Sequence, residues 1–217
     1  MPQGPLPYPT AARSERMVDG AVHALGVAFA LGGATGLIVT GLLYLDGARA
    51  AAVAVYGLAL VATFTASACY HLMPWDHVRP TLRRLDHAAI FLKIAGTCTP
   101  MAALVGTAFA WTVLAAVWAL ALLGAAAKLL FWHEPGRLGL VAYLVLGWLG
   151  VLLLWPLADR LPGSALGLAA AGGLLYTFGV VFFAWESLRF STAIWHGFVL
   201  AASGCFFAAI AMGSFAA

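Results

Sequence analysis

A handful of polar residues stand inside or at the edge of long apolar stretches, and their types could do chemistry together. They are His23, Ser67, His71, Asp86, His87, Lys93 and His196. Imidazoles and a carboxylate can hold a divalent metal, and a carboxylate beside a metal-activated water can act as a general base. Ser67 and His71 are four apart and share one face of a helix. That pair reads either as a metal ligand with a hydroxyl that orients it, or as an interfacial histidine wetted by headgroup water. Asp86 opens an apolar run, where the helix N-terminus favours an anion. It reads as a helix cap, a general base or a ligand. His87 points about 100° away from Asp86 and reads as interface. Lys93 follows Asp86 by seven residues, on nearly the same face and about 10 Å deeper. A lysine at that depth must snorkel, pair or meet water, and Asp86 is its expected partner.

Membrane helices must position these groups. Of the 217 residues, 64% are apolar and only 9% are charged. A soluble domain carries about 25% charged residues, so the composition excludes a soluble enzyme. Seven apolar runs occur, at about 20–45, 50–73, 85–107, 109–132, 138–158, 163–185 and 194–215, each near the roughly 20 residues that a span needs. The runs are apolar all round rather than alternating, which excludes a β-barrel. The fold class is an all-α integral membrane protein with seven transmembrane helices. Residues 1–19, with Pro2, Pro5, Pro7 and Pro9, form a short tail, and residues 20–217 form the transmembrane domain. No signal-peptide core precedes the first run, which reads as an uncleaved span.

Orientation follows from the loop cations. Arg13, Arg16, Arg79, Arg83, Arg84, Lys128, Arg137 and Arg189 lie on the side of the N-terminus, against Arg49 and Arg160 on the other. The bias puts the N-terminus in the cytoplasm. It also explains the net charge of +3 without nucleic acid. Trp75, Trp132, Trp185 and Trp195 fit one aromatic belt, and Trp111 and Trp155 the other. Under this topology His23, Ser67, His71, Asp86 and His196 all fall at cytoplasmic helix ends, so His71, Asp86 and His196 are expected to converge in one interior cavity. Gly32 and Gly36 form a small-xxx-small packing signal. Pro100 is expected to kink its span, with Thr97 and Thr99 satisfying freed backbone groups. Cys69, Cys98 and Cys205 lie in apolar runs and give no disulfide or zinc pattern.

The chain resembles the haemolysin III family, which belongs with the progestin and adipoQ receptor group of seven-helix membrane proteins. The resemblance rests on Ser67-Ala68-Cys69-Tyr70-His71, on Asp86-His87-Ala88-Ala89-Ile90-Phe91 running into Ala95-Gly96-Thr97-Cys98-Thr99-Pro100, and on Ala193-Ile194-Trp195-His196-Gly197-Phe198. Tyr143, Gly147-Trp148-Leu149, Glu15 and His23 agree with it. It implies membrane-lipid homeostasis in the inner membrane, with cytolysis as the family label. Wider relatives, including alkaline ceramidases, hold zinc with three histidines. By position His71 and His196 match two of them, whereas the third position is Thr192. A further family histidine is replaced by Phe206. The residues then allow a modified zinc site of His71, His196 and Asp86, or a site in which Lys93 has replaced the metal charge. The second is preferred. The functional alternatives are a hydrolase of lipid amides or esters, with Asp86 and Ser67 in its chemistry, and a lipid receptor or sensor without turnover. The sequence does not set the oligomeric state.

Overall fold

A computed structural model describes residues 12–131, 137–185 and 187–216. Seven helices in it are long and apolar enough to cross a membrane: span one Arg13–Tyr44, two Gly47–Leu72, three Arg79–Val105, four Ala108–Leu130, five Gly139–Leu157, six Gly163–Ala184 and seven Ser191–Phe215. The chain is a multi-pass membrane protein. Large apolar side chains such as Leu43, Leu58, Leu123 and Phe178 point outward, as a lipid-facing surface requires. The prolines of the tail, Trp132, His133 and Glu186 lie outside the described residues.

Short polar devices end the helices. Asp46 caps span two by accepting from the amides of Ala48 and Arg49, both at 3.0 Å. The weakest break in the sequence, between spans three and four, is set by Gly106 and Thr107. Gly106 takes the left-handed conformation, φ 66°, that closes a helix, and the Thr107 hydroxyl accepts from the Ala110 amide at 3.3 Å. Span one becomes helical at Arg13, before its apolar run begins. Glu15 accepts from the Ala12 amide at 3.0 Å and so starts the helix in its polar turn. Hydropathy sees only the part inside hydrocarbon, and this polar turn therefore escaped it.

Span three is the centre of the bundle. Its apolar window is 61% buried, against 17% for spans five and six, and it packs on spans two, four, five and seven. Span one packs on span seven as well as on span two, which closes the bundle. Pro100 sits within span three, and the helix continues through it. Thr97 and Thr99 donate to the carbonyls of Lys93 and Ala95, at 2.8 and 2.9 Å, rather than to the Gly96 carbonyl that Pro100 frees. Gly32 and Gly36 are exposed, and a Cβ at either would meet nothing within 4 Å, so this pair makes no packing seam among the described residues.

Gly96 does make such a seam. A Cβ there would lie 2.7 Å from the Ala59 Cβ and 3.5 Å from the Val55 carbonyl oxygen. Spans two and three can approach this closely only because Gly96 has no side chain. We predict that Gly96→Val destabilises the detergent-solubilised protein by about 1–3 kcal/mol, the usual range for overpacking. Gly32→Val, which faces open space, serves as control. Equal thermal midpoints for the two variants would refute the seam.

Candidate metal centre

Spans one, two and seven place four potential ligands together. Asp19, His23, His71 and His196 each offer one ligand atom, and these atoms all lie within 4.8 Å of one another. The sequence spacing contributes one part. Asp19 and His23 are four apart on span one and share a face. Span seven delivers His196, and a clip holds the turn before that span to span one. Glu15 Oε1 accepts from the Phe190 amide at 3.3 Å and lies 3.9 Å from Arg189 Nε. Phe190 itself takes φ 63°, which turns the chain sharply into span seven.

Asp19 is the hub. Its Oδ1 accepts from His196 Nδ1 at 2.7 Å and lies 3.6 Å from His23 Nδ1. Its Oδ2 lies 3.6 Å from His71 Nδ1. The His23 Nδ1–H donates to the Asp19 main-chain oxygen at 2.8 Å, which fixes that ring and leaves Nε2 with its lone pair. The imidazoles crowd one another, with ring centroids 4.3 to 5.0 Å apart. Their side chains are 2–16% exposed, and Asp19 is 12% exposed.

These spacings suit a metal. Bonds of about 2.0–2.1 Å in a tetrahedron put neighbouring ligand atoms roughly 3.3 Å apart, so side chains in the group, whose ligand atoms lie within 4.8 Å, would draw in to close on an ion. The donor set of imidazoles and one carboxylate is chemically suited to zinc-like ions. A group of three imidazoles and one carboxylate can therefore hold a metal ion. With Asp19 bonded to an imidazole N–H instead of to the metal, three imidazoles would remain and one position would stay open.

All seven residues singled out in the sequence line one cavity of about 910 Å³: His23, Ser67, His71, Asp86, His87, Lys93 and His196. Ser67 lies between two of the site's polar groups. Its Oγ is 3.3 Å from His23 Nε2 and beside the Asp86 carboxylate. His87 lines the cavity rather than an outer interface, with Nδ1 donating to the Arg83 carbonyl at 2.9 Å and 3.7 Å from Asp86 Oδ2. Tyr143 donates to the His87 carbonyl at 3.1 Å and ties span five to this corner. Trp195 also lines the cavity, packed on Phe183.

Two expectations change. The carboxylate within the ligand group is Asp19, and Asp86 stands outside it. Asp19 fell just before the apolar run, and its spacing of four from His23 was the signal available. The second change concerns Lys93. Among the described residues no ion pair joins it to Asp86. Its Nζ donates instead to Ser203 Oγ at 2.7 Å and lies over the rings of Phe64 and Tyr176 at 4.9 and 5.0 Å. A shared helix face is not enough here, because two helical turns separate the side chains and span seven offers a hydroxyl at the depth of Lys93. The replacement of a metal by Lys93 thereby loses its geometric basis. Thr192, where the family resemblance implies a histidine, carries no imidazole, and the third imidazole of the group comes from His23 on span one.

Fold and site together define a seven-helix membrane protein with a histidine-rich polar centre inside the bundle, able to hold a metal. Residues 12–207 match the family model described as haemolysin-III related. The chain is 33% identical over 194 residues to hemolysin-3 of Bacillus cereus, with 89% of each chain covered. It is 32% identical to the hemolysin-3 homolog of Bacillus subtilis (strain 168), covering 89% of this chain and 91% of that one. A more distant likeness, 28% over 167 residues, links it to the human monocyte to macrophage differentiation factor, covering 72% of this chain and 67% of that one. The chain belongs to the haemolysin III family.

Proposed function

We propose that this protein is a zinc-dependent hydrolase of lipid amides or esters in the inner membrane, acting in membrane-lipid homeostasis. The observation that carries the reading is the juxtaposition of the Asp19–His23–His71–His196 group with Asp86, in a cavity walled mainly by apolar side chains. When bound, zinc supplies Lewis-acid activation of a carbonyl and of water. The residues supply the rest. Asp19 orients His196 through its carboxylate and His23 through its main-chain oxygen, and its Oδ2 faces His71 Nδ1 at 3.6 Å. Asp86, outside the ligand group, is free to take a proton from the attacking water and return it to the leaving group. Ser67 sits beside both His23 and Asp86, and its one hydroxyl proton would go to the carboxylate when the His23 Nε2 lone pair is taken by the metal. The apolar walls receive the acyl chain and exclude water from the reacting carbonyl.

The test is release of free fatty acid from a panel of lipid amides and esters by the detergent-purified protein. Activity that a chelator abolishes and added zinc restores supports the reading. Saturable lipid binding with no product, at full zinc loading, would favour a receptor or sensor instead.

The basic bias of the loops also gives a topology. We predict the N-terminus in the cytoplasm and the C-terminus outside. A periplasm-active reporter fused after Ala217 should be active, and the same reporter inserted between Pro74 and Arg79 should be silent. The opposite pattern would place the polar centre on the outer side.

A further inference from the structure

A second polar layer lies below the first, and its register is regular. His71, Asp86 and His196 belong to the upper layer. Phe64, Lys93 and Ser203 are each seven residues deeper along spans two, three and seven. Seven residues are two helical turns, about 10 Å. The lower layer therefore sits directly beneath the metal centre, and Lys93 and Tyr176 line the same cavity.

When Lys93 is protonated, the bonding in this layer leaves its charge without a counter-ion among the described residues. Ser203 donates to the Val199 carbonyl at 2.6 Å and lies 2.7 Å from Lys93 Nζ and 2.9 Å from the Tyr176 hydroxyl. Its proton and both lone pairs are thus in use. Lys93 is 6% exposed, and no carboxylate pairs with it among the described residues. The Phe64 and Tyr176 rings flank its Nζ at 4.9 and 5.0 Å. Contacts with aromatic faces offset only part of the cost of a desolvated ammonium. A bound anion would supply the missing charge.

We propose that Lys93, held by Ser203 and flanked by Phe64 and Tyr176, is a carboxylate-binding subsite for a long-chain fatty acid lying in the cavity. One cation without an arginine fork complements a single negative charge, whereas a phosphate monoester would leave a charge over. The mainly apolar walls call for an acyl chain, which a small inorganic anion lacks. The subsite does not depend on metal at the layer above.

The test uses the full chain in nanodiscs of zwitterionic lipid at mildly alkaline pH. Dibromostearic acid and its methyl ester are titrated in with a chelator present, so that the ester is not hydrolysed, and quenching of tryptophan fluorescence reports occupancy, because Trp148 and Trp195 line the cavity. The unmodified protein should bind the acid about tenfold or more tightly than the ester. Lys93→Met and Lys93→Gln should bring the two within about twofold, while His71→Ala should keep the preference. Equal binding of acid and ester by the unmodified protein would overturn the proposal, and that comparison needs no variant. So would a preference that persists in both Lys93 variants. A preference lost in His71→Ala and kept in Lys93→Met would also overturn it, by placing the carboxylate at the upper layer. Absence of zinc from the protein as purified, together with an intact acid preference, refutes the hydrolase reading alone.

Discussion

Changing His71 or His196 to alanine is expected to reduce the zinc of the purified protein from close to one per chain to a small fraction. Each change removes one imidazole from the group and leaves two imidazoles with Asp19, a weaker donor set than the three imidazoles that Asp19 orients. The thermal midpoint should fall as well, because a ligand that binds only the folded state at 100 times its Kd stabilises it by about 2.7 kcal/mol. Asp19→Ala should weaken zinc by about 10–100-fold if Asp19 only orients the imidazoles, and should match the histidine variants if it is itself a ligand. His23→Ala offers a sharper test. Adding Thr192→His to it places an imidazole one turn before His196 on span seven, and zinc should partly return. Metal content by mass spectrometry of the detergent-purified variants decides each case. Stoichiometric zinc in His71→Ala would place the metal elsewhere.

Asp86→Asn should lower fatty acid release by about 10²–10⁴-fold, the usual contribution of a general base, with zinc content unchanged. The two readouts separate the roles, because Asp86 lies outside the ligand group. Loss of zinc in Asp86→Asn would make it a ligand and refute its assignment as base. Asp86 and Lys93 are not paired, so Asp86→Asn and Lys93→Met should have additive effects on stability. Recovery of stability in the double variant would instead show a charge pair.

The seven spans were legible because each one needs a long apolar stretch, and composition alone forces that reading. His71, Asp86 and His196 were legible as a group because each is a polar residue at one end of its span. Asp19 was not. It lies in a polar first turn that hydropathy counts as tail, and its importance depends on which span lies next to span one. That neighbour is span seven, which meets span one through contacts such as Glu15–Phe190, between residues 175 apart in sequence, and no local pattern reports it. The partner of Lys93 was hidden for a similar reason. Spacing of seven shows a common face with Asp86, but Ser203 becomes a neighbour only when span seven packs against span three.

The clip between Glu15 and the turn before span seven also sets an order of events during synthesis. Span one enters the membrane first and carries Asp19 and His23, and span two adds His71. His196 arrives last. A chain halted before span seven holds two imidazoles and a carboxylate with no partner across the gap. The full ligand group therefore exists only after the first and last spans have met. A metal held by that group would then mark a completed bundle.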